Sequence, residues 1–195
     1  MELYLDRVYH PVETLGPGSR VGIWTSGCSR RCPGCANPEL RDRNDFLHVN
    51  VSRLAGALAH IVLERQCHRL TVTGGEPLEQ APALSALLAE VRPFFDDVLV
   101  YTGFRLEEIP RAIGEAEWNA LRPNIDAIVD GPYVEALNDG ACALRGSSNQ
   151  RIVVLNDNLR RAYDEAAAGP RRVQNAVFGS RVISIGIHGR RKEQQ

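Results

Sequence analysis

The sequence predicts an α/β fold with a mainly parallel sheet and a C-terminal β-hairpin, and three observations carry the prediction. Short runs rich in valine and isoleucine alternate with stretches whose apolar residues recur at helical spacing. Four of those runs end in glycine or a small polar residue, where a loop can approach a ligand closely. Beyond Asn158 the alternation stops, and a short charged helix is followed by two further β-branched runs.

In chain order, "LGPGSR" reads as a turn by its glycine and proline content, and "RVGIWTSG" as a strand that delivers the chain into a cysteine-rich loop. "VSRLAGALAHIVLERQ" has helical spacing, with Asn50 or Ser52 as its cap. The strand in "HRLTVTGGEP" follows, then a helix through "APALSALLAEV", the strand "DVLVYTG" and a charged helix from Leu106 to Leu121. The strands "IDAIVDG" and "RIVVLN" complete the alternating part. Such alternation implies βαβ units, whose ligands gather at the carboxyl ends of the strands. Those ends are Ser26-Gly27-Cys28, Gly74-Gly75-Glu76-Pro77, Tyr101-Thr102-Gly103 and Asp130-Gly131. "RRAYDEAAAGPRR" then reads as a helix ended by Gly169-Pro170. "RVQNAVFGSRVISIGIHG" reads as a hairpin around Gly179-Ser180, with Ile183, Ile185 and Ile187 on one face, covering a sheet edge or packing on a partner. The expected division is a core domain over 1–158 and an extension over 159–195 that is not an independent domain.

With 195 residues, 44% of them hydrophobic, the chain has enough apolar material for one core. A formal charge of −1 gives no basic footprint for nucleic acid or an anionic membrane. The charged start "MELYLDRVYHPVE" is unlike a signal peptide and no apolar run is long enough for a membrane span, so a cytoplasmic protein is expected. The single lysine, Lys192, leaves no Schiff-base or P-loop lysine in the body of the chain.

Cys28, Cys32 and Cys35 form a CxxxCxxC loop, and five cysteines in a reducing compartment point to metal or redox chemistry. A structural zinc would need a fourth donor such as His10, His48 or His68. A catalytic zinc with an open position, buried thiols, or a redox dithiol at Cys32 and Cys35 are further readings. A [4Fe-4S] cluster held at three corners is another, and it leaves one iron open. Cys67 and Cys142 lack ligand spacing and read as buried apolar residues. His60 reads as a core or interface residue, and Trp24 and Phe104 either line a pocket or pack.

The CxxxCxxC loop after the first strand, followed by "GGEP", resembles the radical S-adenosylmethionine enzymes. The segments "GPGSRVGIWTSGCSRRCPGCANPEL", "TGGEPL", "VYTGFRLEEI", "IDAIVDGPYVEALNDG" and "LRGSSNQR" resemble the family of anaerobic ribonucleoside-triphosphate reductase activating proteins, over about residues 5 to 155. The resemblance implies an incomplete (β/α) barrel of the radical S-adenosylmethionine type, open on one side. Cys28, Cys32 and Cys35 would hold a [4Fe-4S] cluster, its free iron chelated by the amino and carboxylate groups of S-adenosylmethionine, whose reductive cleavage gives a 5′-deoxyadenosyl radical. Gly74, Gly75, Glu76 and Pro77 would lie along the methionine amino group, with Thr102 and Gly103 beside the cofactor. Asp130 would make a polar contact, and Ser147, Ser148 and Asn149 would hydrogen-bond the sugar or carboxylate. Arg151 reads as an ion-pair partner or a carboxylate clamp.

Three positions depart from the family pattern: Ala36 stands for a tyrosine, Pro132 for a lysine and Glu76 for an aspartate, and the hairpin is additional. The implied reaction is hydrogen abstraction from a glycine of a large glycyl radical reductase, with electrons from a flavodoxin-like or ferredoxin-like donor. Modification of a precursor peptide or small molecule is the second expectation, and a non-catalytic iron–sulfur or zinc protein the third.

Overall fold

The protein is described by a computed structural model over residues 1–43, 48–178 and 181–189. Its strands are β1 (Glu2–Val12), β2 (Arg20–Thr25), β3 (His48–Asn50), β4 (Arg69–Gly74), β5 (Asp97–Tyr101), β6 (Ala127–Asp130), β7 (Arg151–Val154), β8 (Val173–Phe178) and β9 (Arg181–Gly186). The helices are α1 (Val51–Arg65), α2 (Ala81–Val91), α3 (Ile109–Ile113), α4 (Glu115–Leu121) and α5 (Arg160–Ala168). Seven strands form one mixed sheet in the order β3-β1-β2-β4-β5-β6-β7, and β8 and β9 form a second. The central β2, β4, β5 and β6 are parallel, so their carboxyl ends share one rim, with Thr25 opposite Gly74 and Tyr101 opposite Val129.

α1 buries Val51, Leu54, Ala55, Leu58 and Val62, the i, i+3, i+4 spacing of an amphipathic helix. Together with α2 and α4 it covers the sheet face that carries Val21, Ile23, Leu70, Val72, Val98 and Val100. On the other face Tyr163 of α5 packs with Leu99, Ala127 and Val129, and Ala176 and Ile185 of the hairpin pack with Val12, Leu15 and Trp24. Asn50, and not Ser52, caps α1, its side chain accepting from the amides of Ser52 and Arg53 at 3.1 and 3.3 Å.

Several elements differ from the sequence reading. β1 has no counterpart in it, because register shifts between Leu5 and Arg7 and between Tyr9 and Val12 break the two-residue alternation. Asp6 and Arg7, which look like loop residues, pair with each other on the strand. The charged helix from Leu106 to Leu121 is broken at Gly114, whose φ of 96° no helix accepts, into α3 and α4. β7 returns antiparallel to β6, since the 131–150 connection carries no crossover helix. The hairpin lies over a sheet face, not at an edge; its Gly179-Ser180 turn, like Lys192, is outside the described residues. His60 is exposed on α1, whereas Cys67 and Cys142 are buried as expected. Among the described residues no helix is long and apolar enough to cross a membrane.

A buried ion pair pins the amino-terminal rim. The Arg20 side chain is fully buried and donates to Asp97 Oδ2 at 2.5 Å, Thr71 Oγ1 at 2.7 Å and the Leu70 carbonyl at 2.7 Å. Tyr163 Oη donates to Asp97 Oδ1 at 2.6 Å, which ties α5 to the same carboxylate. Replacing Arg20 by Met leaves Asp97 as an uncompensated buried charge, so urea unfolding is expected to show a loss of about 3–5 kcal/mol. At the next rim position burial raises the Asp126 carboxyl, but hydrogen bonds from Arg92, Asn156 and the Val98 amide outweigh it and hold the group below 3.8. The stability from this depressed group is present above pH 3.8 and lost as pH falls through the lower native value. The urea midpoints of wild type and Asp126→Asn are therefore expected to differ at pH 7 and to draw together as pH falls below 3.8 and through the lower native value.

Candidate functional site

The carboxyl rim of the parallel strands carries a cavity of about 730 Å³ whose wall includes Cys28, Cys32, Cys35, Glu76, Thr102 and Gly103. The cysteine loop reaches it by folding back on itself. The amides of Gly27 and Cys28 donate to the carbonyls of Leu40 and Arg41 at 2.9 and 2.8 Å, closing the base of the loop. Near its tip the Cys35 amide donates to the Cys32 carbonyl, which also accepts from the Arg41 guanidinium at 2.6 Å. All three cysteines are free thiols and half-buried, and burial pushes the Cys28 thiol up from its usual value.

Two glycines lock this loop to the neighbouring strand. The Gly75 amide donates to the Thr25 carbonyl and the Glu76 amide to the Gly27 carbonyl, both at 2.8 Å, continuing the β2–β4 pairing beyond the sheet. A Cβ on Gly75 would stand 2.2 Å from the Gly27 oxygen, and one on Gly74, where φ is 110°, 2.4 Å from the Thr25 backbone. The glycines allow backbone to meet backbone, and they line the cavity as a consequence.

Glu76 is buried at the centre of the rim. Its carboxylate accepts from Thr102 Oγ1 and the Gly103 amide, each at 2.7 Å, and from the Leu78 amide at 3.2 Å. Arg30, from the cysteine loop, stands 3.6 Å away and lies over the Phe104 ring at 4.1 Å. Burial pushes the Glu76 carboxyl above its usual range, while these donors and Arg30 pull the other way. The site is a buried carboxylate on a cavity wall, ringed by neutral donors with one arginine at its side.

Other residues singled out in the sequence lie elsewhere or have other partners. Pro77 is buried and does not reach the cavity. Asp130 is fully buried and committed to the Leu106 amide, at 2.8 Å, and to Arg151, which also forks onto Glu107. Ser147 Oγ accepts from the Val134 amide at 3.2 Å, Ser148 is exposed, and Asn149 donates to the Pro132 carbonyl at 2.8 Å. These residues shape the 131–150 loop, which contributes Tyr133, Gly146 and Gln150 to the cavity instead. Ala36 lines the cavity, as does Trp24, and Phe104 packs beneath Arg30. His10, His48 and His68 do not reach it; His68 Nδ1 is engaged at the Phe94 carbonyl on the opposite rim.

Sequence reasoning missed Arg30 and the hairpin wall from Val182 to Gly189. Arg30 had one available signal, its position between two cysteines on a rim that also carries an acidic residue.

The site fits a group held by three thiolates, because three free thiols share one cavity wall and the cavity has the size of a small-molecule pocket. Among the described residues no three His, Cys, Asp or Glu side chains surround a single-ion position; the thiols share a wall, not a point.

The family described as "4Fe-4S single cluster domain" matches residues 14–153. The anaerobic ribonucleoside-triphosphate reductase-activating protein of Salmonella typhi is 33% identical over 152 residues, covering 74% of this chain and 94% of the relative. The protein of the same name in Escherichia coli K12 is 31% identical with the same coverage. That of Enterobacteria phage T4 is 31% identical over 161 residues, covering 79% of this chain and 96% of its own length.

A Gly75→Ala substitution tests the backbone lock. The added methyl forces β4 and the cysteine loop apart, and overpacking of this kind is expected to cost about 2–3 kcal/mol in urea unfolding. Hydrogen exchange at the Gly27 and Cys28 amides should accelerate in the same variant, while exchange at the Arg20 end of β2 should not.

Proposed function

The chain belongs to the family of anaerobic ribonucleoside-triphosphate reductase-activating proteins, and from that premise we propose that it is a radical S-adenosylmethionine enzyme that installs a glycyl radical on an anaerobic ribonucleotide reductase. The observation that carries the reading is the single cavity shared by Cys28, Cys32, Cys35 and Glu76. In it the three cysteines hold a [4Fe-4S] cluster and Glu76 receives the cofactor's ammonium. With S-adenosylmethionine bound, such a cluster would supply a 5′-deoxyadenosyl radical by one-electron reductive cleavage, with methionine as the leaving group.

The protein's own residues prepare that chemistry. Glu76 presents a buried acceptor to a cation; burial pushes its carboxyl up, and the Thr102 hydroxyl, the Gly103 amide and Arg30 oppose that push and fix the orientation of both oxygens. Trp24, with Ile183 and Ile185 of the hairpin packed against it, gives one side of the cavity an apolar backing. Gly74 and Gly75 fix the distance between the cysteine loop and Glu76. Asp130, Ser147, Ser148 and Asn149 act through the shape of the 131–150 loop. The core spans 1–158 as an open (β/α) barrel, residues 159–195 extend it, and a flavodoxin-like or ferredoxin-like protein donates the electron.

Anaerobic reconstitution is expected to yield iron and inorganic sulfide in equal amounts, and loading should be lost on changing Cys28, Cys32 or Cys35 to Ala. Reduced protein mixed with the reductase and S-adenosylmethionine should show a glycyl doublet by paramagnetic resonance. Deoxyadenosine without that doublet would remove the glycyl assignment, and a preparation without iron or sulfide would remove the whole reading. Glu76→Gln is expected to keep the cluster and weaken S-adenosylmethionine binding about 10- to 100-fold, as measured by equilibrium dialysis, through loss of a charge-assisted contact.

A further inference from the structure

The hairpin lies beyond the family match, which ends at residue 153, yet it forms a wall of the cavity that holds the cysteines. Every residue from Val182 to Gly189 lines the cavity, and among the described residues none of β8 does. Successive side chains of a strand alternate between faces. Ile183 and Ile185 point inward onto Leu15 and Trp24, whereas Val182 and Ser184 are exposed on the outer face. A wall made of both sets is the strand's edge, not one of its faces.

The register identifies which main-chain groups that edge presents. Phe178 pairs with Arg181 across only two residues, so this pair exchanges both of its main-chain hydrogen bonds, and the pairs Ala176–Ile183 and Gln174–Ile185 do the same. The amides and carbonyls of Val182, Ser184 and Gly186 therefore point away from β8, toward the cavity. Among the described residues no hydrogen bond joins those outward groups to another segment. The outer edge of β8 is different: Gln174 beside it holds the Glu13 amide and the Pro11 carbonyl at 2.8 Å, against the main sheet.

Soluble proteins protect a free edge with charge, proline or a cover. From Val182 to Gly186 β9 carries no charge and no proline, its charged residue being Arg181 at the turn end, and Val182 is 68% exposed where it lines the cavity. Its far end is fixed, because the His188 carbonyl accepts from Arg171 and Asn138 at 3.1 and 3.2 Å. Arg171 also donates to the Cys142 and Arg145 carbonyls at 2.8 Å, which fastens the strand to the 131–150 loop.

We propose that the free edge of β9, through Val182, Ser184 and Gly186, binds an extended, glycine-containing peptide segment of the protein substrate by strand addition and lays it along the cavity. This deepens the proposed function and rests on its protein substrate. Main-chain pairing sets affinity and Val182 receives an apolar side chain of the segment. An added strand runs about 4.8 Å from β9, so a residue without a side chain brings its Cα to the cavity without a clash. The recognition reads backbone, and glycine is the residue whose backbone is most accessible.

The test uses short overlapping peptides that tile the anaerobic reductase encoded in the same genome, with binding followed by fluorescence anisotropy on the full-length, cluster-loaded protein. Ser184→Pro removes an outward amide and leaves the β8–β9 ladder intact, so it should keep iron loading and bind the best peptide about tenfold or more weakly. Ser184→Ala should bind as wild type does. Asn175→Pro, on the other edge of the hairpin, should also bind normally. Methylating successive peptide amides should weaken binding at every second position. Unchanged binding by Ser184→Pro, equal loss in both proline variants, or sensitivity without the two-residue period would overturn the proposal. A wild-type protein that cleaves S-adenosylmethionine and yields the glycyl doublet but binds no tiled peptide overturns the edge alone. One that loads no iron removes the functional reading itself.

Discussion

Two main-chain hydrogen bonds hold the site together. Gly75 to Thr25 and Glu76 to Gly27 extend the parallel pairing of β2 and β4 past the last strand residue. They bring the start of the cysteine loop against the start of the Glu76 turn at a separation that no side chain could survive. A glycine at each contact is therefore a packing requirement of the fold. The thiols and the buried carboxylate belong to one cavity because their backbones are stitched first, and the side chains inherit the geometry.

Charge is distributed around that stitch in two tiers. At the amino-terminal rim Arg20 and Asp97 are buried together with all their donors and acceptors engaged, and Tyr163 adds α5 to the network. At the carboxyl rim Glu76 is as deeply buried, but its cationic partner Arg30 sits at 3.6 Å on a partly exposed loop. A paired buried charge fixes structure, whereas an incompletely neutralised one on a cavity wall has capacity left for a ligand. The same residue chemistry thus closes a network at one end of the strands and lies along a cavity wall at the other. Arg151, in contact with Asp130 and Glu107, belongs to the first kind although it stands near the second.

The hairpin changes the character of the cavity. Relatives that match almost their full length leave about a quarter of this chain unmatched, and the family match ends before α5. Ala176 and Ile185 seal the hairpin onto Leu15 and Trp24, so one sheet face that begins as cavity ends as core. Its outer edge remains open to the same space as the thiols.

Local sequence determined the parts whose physics is local. The alternation of strand and helix, a cap at Asn50 or Ser52 and the parallel rim followed from periodicity and turn chemistry, and so did the position of Cys28, Cys32 and Cys35 at a strand end; the fold chose Asn50. β1 escaped notice because its register shifts erase the two-residue pattern. The partners of Asp130 and Asn149 could not be read from their neighbours either, because Arg151, Leu106 and Pro132 reach them only through the fold. Tertiary structure alone decided that Gly74 and Gly75 face backbone, that Arg30 reaches Glu76, and that β9 borders the cavity. Each of these is a contact between segments far apart in the chain, and a one-dimensional pattern carries the propensity of a segment but not the identity of what it will meet.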